Sequence, residues 1–446
     1  MDAGEFFQGL VRAHKSGRPR GVASICSAHP WVLEAVMDQA QADGGPALIE
    51  STVNQVNQYG GYTGMRPEDF RDRVQADAVE RGLPIDRVLL GSDHLGPYPW
   101  RAQSAETAMD QARALAAASV RGGYAKLHLD ASMPLGGDTP DPALGLDPLL
   151  IARREAELAA AAEQAFTERD TRRAPGGPPV YVIGTDVPPP GGMQAGAGDV
   201  PVTPVEEFER TVSLCAEAFA ARGLKSAWSR VFAVVVQPGV EFGDQEVHPY
   251  DRRRAAGLCR AARAHPDLVL EGHSTDYQSP GKLRELVEDG VAVLKVGPAL
   301  TFAAREALFA LERIEVELYA GDPAVTLSRL AEALERAMLA NPAHWRDYYQ
   351  GGEGELRLAF RYSLSDRSRY YWPVPQVQEA VRRLLANLGC ASIPWPLASQ
   401  FLPLQSRLLR DGEIPGDPES LVREAVREVL LDYAQAAGVG GRRRPA

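Results

Sequence analysis

From Gly21 to about Leu318, short apolar runs alternate with stretches in which apolar residues recur every three to four positions. An apolar run of four to six residues without polar alternation predicts a strand buried on both faces. The 3.6-residue period predicts a helix laid against it. Strands are predicted over 22–26, 47–50, 88–92, 124–129, 180–184, 231–236, 268–272 and 293–296. Helices predicted over 30–42, 67–81, 104–120, 149–169, 204–222, 249–264, 281–289 and 301–318 separate or follow them. Eight such strands within roughly 300 residues predict an α/β fold of the (β/α)8 TIM-barrel type, with a doubly wound parallel sheet as the competitor. A short amphipathic helix from Asp2 to about His14 precedes the first strand.

Beyond Gly321 this rhythm stops. Helical patterns at 323–340, 376–388 and 418–437 enclose an aromatic-rich stretch, Trp345 to Trp372. The chain is therefore read as a barrel over 1–320 and a helical C-terminal extension over 321–446, packed on the barrel or on a partner. The Gly- and Pro-rich segment 186–200 is either a mobile lid or a connection.

Composition narrows the function classes. Hydrophobic residues at 45% and charged residues at 24% describe an ordinary globular chain. A formal net charge of -11 excludes a broad nucleic-acid-binding face. Cys26, Cys215, Cys259 and Cys390 are far apart and form no CxxC pair, which fits thiols in a reducing compartment. The N-terminus lacks the apolar core of a signal peptide, and no run reaches bilayer length, so a cytoplasmic location without membrane contact is expected. No strand-linked GxGxxG, Walker A or GxSxG sequence is present.

In a TIM barrel, residues just after the strands converge on one face. Those positions hold Glu50, Asp93 and His94, His128 and Asp130, and Asp186. Gln237 and Glu241, then Glu271, His273 and Asp276, and finally Lys295 continue the set. Three imidazoles among carboxylate and amide oxygens suit Zn, Mn, Ni or Co. Each residue also has a structural reading: a hydrogen-bonded histidine, a helix-capping carboxylate, a turn at Asp130. Lys295 within a strand requires a buried partner. In the extension, Arg361, Arg367 and Arg369 beside Tyr370, Tyr371 and Trp372 fit a phosphate site, a subunit interface or a salt-bridged core.

Several stretches together resemble one family, the Z-type subunit of tagatose-1,6-bisphosphate aldolase known as GatZ or KbaZ. They are SAHPWVLEAV at 27–36, LIESTVNQVNQYGGYTGM at 48–65, LLGSDHLGPYPW at 89–100, YAKLHLDASM at 124–133 and VIGTDVPPPGG at 182–192. VVVQPGVEFG at 234–243, LEGHSTDYQ at 270–278, YSLSDRSRYYWP at 362–373 and IPWPLASQFLPLQ at 393–405 complete the set.

That family is similar to class II, metal-dependent aldolases. Asp93 and His94 match the strand-end pair in which those enzymes place a proton-transfer Asp and a zinc-binding His. Where those aldolases carry further histidine ligands, this chain reads QPGVE and EGHS, and Lys295 lies near the place of a substrate-binding Asn. The resemblance implies two roles: a noncatalytic partner that stabilises and activates a Y-type aldolase subunit, or a metal-dependent tagatose 4-epimerase interconverting fructose and tagatose. So many ionisable groups at a barrel mouth favour the enzyme, since burying them is costly without a use.

The expected site takes a ketose or ketose phosphate. Its divalent metal is held by His94 and His273 with Glu271 and Gln237, and Asp93 serves as acid/base. Asp130, Asp186 and Glu241 are further proton-transfer candidates. Glu50, Asn54, Gln55, His128, Asp276 and Lys295 contact the sugar. A sugar-binding module without chemistry is the third reading, and a homo-oligomer is left open.

Overall fold

The computed structural model describes residues 1–141, 145–169, 176–185, 200–389 and 392–439. Eight parallel strands close into a barrel: β1 (Val22–Cys26), β2 (Ala47–Thr52), β3 (Val88–Leu95), β4 (Lys126–Leu129), β5 (Val180–Ile183), β6 (Val231–Val236), β7 (Val269–Gly272) and β8 (Val291–Val296). Each pairs with its chain neighbours, and β1 closes the ring on β8 with Val22 opposite Val293 and Ser24 opposite Lys295. The fold is the TIM barrel; a doubly wound sheet would have left two open edges.

Around it run α1 (Ala3–Lys15), α2 (Pro30–Asp43), α3 (Pro67–Glu80), α4 (Ala105–Arg121), α5 (Pro148–Glu168), α6 (Val205–Ala221), the single turn α7 (Lys225–Trp228), α8 (Arg252–Ala264), α9 (Pro280–Asp289) and α10 (Pro298–Tyr319). Among the described residues no helix is long and apolar enough to cross a membrane.

Because side chains alternate across a strand, residues two apart share a face. Inside the barrel this stacks an apolar floor below a charged layer. Leu48, Leu89, Val182, Phe232 and Val293 belong to one buried cluster, which α1 plugs from below. Phe7 of α1 stacks on Phe232 with ring centroids 4.4 Å apart. Burying that ring contributes roughly 2–3 kcal/mol. Two residues on from Leu48, from Val269 of the same cluster and from Val293, the inward positions become Glu50, Glu271 and Lys295.

Three departures from the sequence reading affect the site. Strand β3 runs three residues past its predicted end and so contains both Asp93 and His94. A register shift between Ser92 and Leu95 and a left-handed backbone at His94 (φ 49°) turn that end into the mouth. A two-stranded hairpin, Glu241–Phe242 with Val247–His248, follows β6. The helix predicted from 323 begins only at Leu330: Asp322 closes a turn by accepting the Ala324 N–H at 2.8 Å, Glu315 accepts the Ser328 N–H, and a left-handed Arg329 (φ 49°) precedes the first helical turn.

After α10 come α11 (Leu330–Ala340), α12 (Glu353–Tyr362), α13 (Pro375–Gly389), α14 (Trp395–Phe401), α15 (Pro403–Arg410) and α16 (Pro418–Ala436). Leu421, Val422, Val426 and Leu430 of α16 share one core with Val32 and Leu33 of α2, Leu286 of α9 and Leu308 of α10. The segment between α12 and α13 reaches the mouth. There Asp366 (φ 41°) accepts hydrogen bonds from Thr301 Oγ1 at 2.5 Å and Arg305 Nε at 2.8 Å, both on α10. Ser363 and Ser365 donate to Asp244 in the hairpin turn, at 2.8 and 3.0 Å. Tyr433 of α16 donates to the Thr275 carbonyl at 2.8 Å.

Candidate functional site

The charged layer above the apolar floor is a closed ring of alternating sign. Lys126 Nζ lies 2.7 Å from Glu50 and 2.8 Å from Glu271. On the other side, Lys295 Nζ lies 2.7 Å from Glu50 and 3.3 Å from Glu271. Lys295 also reaches Asp93 Oδ1 at 2.6 Å. Glu50, Lys126 and Glu271 are wholly buried. Gly91 makes room for the ring, because a Cβ there would stand 2.8 Å from Glu50 Cγ.

Burial alone would neutralise Lys295 and Glu271; their neighbours in the ring hold these two charged. Burial pushes the Lys295 ammonium down, and the surrounding Asp93, Cys26, Glu50 and Glu271 outweigh it and raise it well above its ordinary value. Burial pushes Glu271 up, and Lys126 and Lys295 outweigh it and hold the carboxyl well below the usual range.

Above the ring, three imidazoles from three strands face one another. The centroids of His94, His128 and His273 are 4.9, 4.9 and 5.1 Å apart. One donor atom from each, with one from Asp93, lies within 4.8 Å of all the others. Asp130 Oδ2 takes His94 Nδ1 at 2.8 Å, leaving Nε2 on the Asp93 side at 3.6 Å. His128 Nε2 faces the Gly184 carbonyl at 2.9 Å, so it carries the proton, and Nδ1 accepts the His94 backbone N–H at 3.1 Å. His273 Nε2 is 3.1 Å from Glu271.

Burial pushes Asp93 up, but His94, Lys295 and the His128 contact outweigh it and hold the carboxyl well below its usual range. His94 is raised despite burial, by Asp93 and Asp130. His128, deeper and with less anionic company, is lowered by burial. Left-handed backbone at Ser274 (φ 52°) and Tyr277 (φ 61°) adds strain at the same mouth as His94. Gly96 lets the β3 loop cross the β4 loop, since a Cβ there would collide with the Asp130 carbonyl at 1.7 Å.

The structure sorts the residues expected from the sequence. Asp93, His94, His273, Asp130, Glu50, Glu271 and Lys295 come together, and His128, expected to touch sugar, stands among the imidazoles. Gln237 directs its carbonyl oxygen to the Gly239 and Val240 N–H groups at 2.8 and 2.9 Å, so the expected metal donor forms a turn. Glu271 binds both lysines and His273, which makes it a support of the cluster. Glu241 accepts from the Phe242 N–H at 2.9 Å and Ser274 Oγ at 3.1 Å.

Asp276 caps α10, accepting from the Gly297 and Ala299 N–H groups at 3.1 and 2.8 Å, and burial raises it to about 6. Gln55 is buried and accepts the Thr52 N–H at 2.9 Å, while Asn54 is exposed. Asp186 lies outside the described residues. The sequence reading missed Lys126 and Cys26. The signal for Lys126 was its inward phase with His128, two residues on, and Cys26 is in register with Glu50.

The donor set fits a divalent ion. The imidazoles of His94 and His273 and the Asp93 carboxylate are donors that Zn, Mn, Ni and Co accept, and Asp130 behind His94 is the carboxylate–imidazole support common at such sites. Charge agrees, because the three carboxylates Glu50, Asp93 and Glu271 exceed the two ammonium groups of Lys126 and Lys295.

Comparison with known proteins adds the family. The model of the D-tagatose-1,6-bisphosphate aldolase subunit GatZ/KbaZ-like family matches residues 7–438. The chain belongs to the GatZ/KbaZ-like family. A protein of Salmonella dublin named D-tagatose-1,6-bisphosphate aldolase subunit GatZ is 43% identical over 424 residues, covering 95% of this chain and 97% of that protein. Its namesake from Salmonella gallinarum strain 287/91 matches to the same extent. A crystal structure described as a probable tagatose 6 phosphate kinase from Sinorhizobium meliloti 1021 superposes with a TM-score of 0.84 at 45% identity. That match covers 94% of this chain and all of that one. Family membership thus spans both the barrel and the helices beyond it.

Proposed function

We propose that this chain is the Z-type subunit of a tagatose-1,6-bisphosphate aldolase, a cytoplasmic protein of carbohydrate catabolism that works with a separate Y-type aldolase subunit. The observation that carries this reading is the 43% identity to GatZ across nearly the whole of both chains. Co-purification with a Y-type aldolase tests it. A mixed complex in which the partner's cleavage rate or thermal stability rises is the expected result. A Y-type subunit that neither binds nor changes would overturn the proposal.

The mouth favours a second reading, a metal-dependent ketohexose 4-epimerase. Four donor groups within 4.8 Å of one another, over a fully buried ionic ring, are costly features for a scaffold. A bound Zn, Mn, Ni or Co would supply Lewis acidity to the ketose carbonyl and its neighbouring hydroxyl. His94 and His273 would hold it, with Asp130 orienting His94; His128, whose two ring nitrogens are already hydrogen-bonded, packs beside them.

On this reading Asp93, ionised and seated between Lys295 and His94, takes the proton from the C4 hydroxyl as the C3–C4 bond breaks. The aldehyde then turns, the bond re-forms on its other face, and Asp93 returns the proton. Lys295 and the ring keep Asp93 charged before each cycle. Direct deprotonation and reprotonation at carbon is the alternative route, with Glu241 or Asp130 as the second base. Purified protein given each metal alone, with fructose, tagatose and their phosphates, tests this reading. The absence of both epimerisation and cleavage under all conditions would reject it.

A further inference from the structure

The segment between α12 and α13 does more than attach the extension. Arg361, in the last turn of α12, and the segment's own Arg367 and Arg369 have different surroundings. Arg361 is ion-paired with Glu335 at 2.6 Å. Arg367 is buried, donates to the His344 carbonyl at 2.9 Å and lies over the Tyr348 ring. Arg369 donates to the Ser365 and Asp366 carbonyls and to the Tyr370 hydroxyl, and no carboxylate lies within ion-pair distance of it among the described residues. The nearby Asp366 is already held by Arg305 and Thr301.

Arg369 lines a cavity of about 530 Å³, a size suited to a small ligand. The cavity begins at Cys26 and Gly297, at the strand ends, and is walled by Gln55, Tyr62 and Trp372. Cys26 joins it to the chemistry, because donor atoms of Cys26, Glu50 and Asp93 lie within 4.8 Å of one another. Two more polar groups on this wall have no hydrogen-bond partner among the described residues: Trp372 Nε1, on a side chain 7% exposed, and His29 Nδ1. A buried indole N–H can only donate, so its missing partner is an acceptor oxygen. A guanidinium without a carboxylate, lining the same cavity as a donor without an acceptor, is complementary to an anion rich in oxygens.

We propose that this cavity takes the phosphate end of a ketose phosphate whose sugar lies over the ionic ring, with Arg369 as the anion-binding group and Trp372 Nε1–H as a second donor. The proposal rests on the reading of the mouth as a sugar site. It makes the C-terminal extension a wall of that site that selects phosphorylated over free sugars.

Calorimetric titration of the full chain with fructose 6-phosphate, fructose and inorganic phosphate tests it. Fructose 6-phosphate binds at least tenfold tighter than fructose, and inorganic phosphate competes with it. Arg369→Gln weakens the phosphorylated sugar by about 10–100-fold and leaves fructose within about twofold. Trp372→Phe, which keeps the ring, weakens it by about 2–10-fold. If Arg369→Gln does not fold, the Trp372→Phe titration and phosphate competition against the unmodified chain decide the matter.

Equal binding of fructose and fructose 6-phosphate, equal weakening of both by Arg369→Gln, or tighter binding of a ketose carboxylic acid would overturn the proposal. Binding is read without turnover or a Y-type partner. A protein that fails the tests of activity and of complex formation therefore still reports on phosphate selection.

Discussion

Replacing Lys126 with methionine removes one of the two positive charges from the ring while nearly keeping the side chain's volume. Lys126 contacts Glu50 at 2.7 Å and Glu271 at 2.8 Å, and all three side chains are wholly buried. At an effective dielectric constant of about 20, each contact has a gross attraction of roughly 6 kcal/mol. Desolvation of the ions offsets most of that, and breaking a buried pair by removing one partner costs about 3–5 kcal/mol in net stability. Unfolding entropy scaled to 446 residues converts this to a fall of roughly 3–5 °C in melting temperature.

The loss comes from the unpaired carboxylate, so a second change that removes a negative charge restores stability. Lys126→Met with Glu50→Gln should regain at least half of the loss, whereas independent effects would add. Differential scanning calorimetry of the two single variants and the double variant makes the measurement. A Lys126→Met protein as stable as the parent, or a double variant with the full sum of the two losses, would refute the view of the ring as a coupled unit.

Other consequences follow from the same geometry. With Zn, Mn, Ni or Co supplied, His94→Ala and His273→Ala should each weaken metal binding at least tenfold by calorimetry. Asn54→Ala, on an exposed side chain, should leave it unchanged. Gly96→Ala should destabilise by at least about 1–3 kcal/mol in urea unfolding, since its Cβ would overlap the Asp130 carbonyl and force the two loops apart.

Glu155, buried on α5 and taking the Cys215 thiol at 3.2 Å, is raised by burial to about 8 from an ordinary 4.5. The folded chain binds that proton more tightly than the unfolded one. Its stabilising effect is therefore full below about pH 4.5 and fades as pH rises towards 8, by an amount on the order of a few kcal/mol. Glu155→Gln should flatten the slope of stability between pH 5 and 8; an unchanged slope would show that Glu155 is ionised in the fold.

The sequence determined the barrel and the inventory of its mouth. Eight apolar runs spaced by helical periods require parallel strands buried on both faces, and the period of two along a strand sets which residues face inward. Asp93, His94, His273, Glu50 and Lys295 were legible as strand-end groups for that reason, and the motif resemblance gave the family. Local patterning could not give the pairings across the barrel, because they depend on how eight strands stagger when they close. Register places Lys126 between Glu50 and Glu271 and brings His128 to the other imidazoles, whereas from sequence it looked like a sugar contact.

The same limit explains Gln237 and Asp276. As residues after strands they fitted ligand or substrate roles, but the fold uses them to satisfy backbone N–H groups in a turn and at the start of α10. The arginines of 361–369 looked equivalent in the sequence. Only the packing of α12 against α11 decides that Arg361 finds Glu335, and only the packing of the following segment on α10 and the hairpin leaves Arg369 at the cavity without a carboxylate.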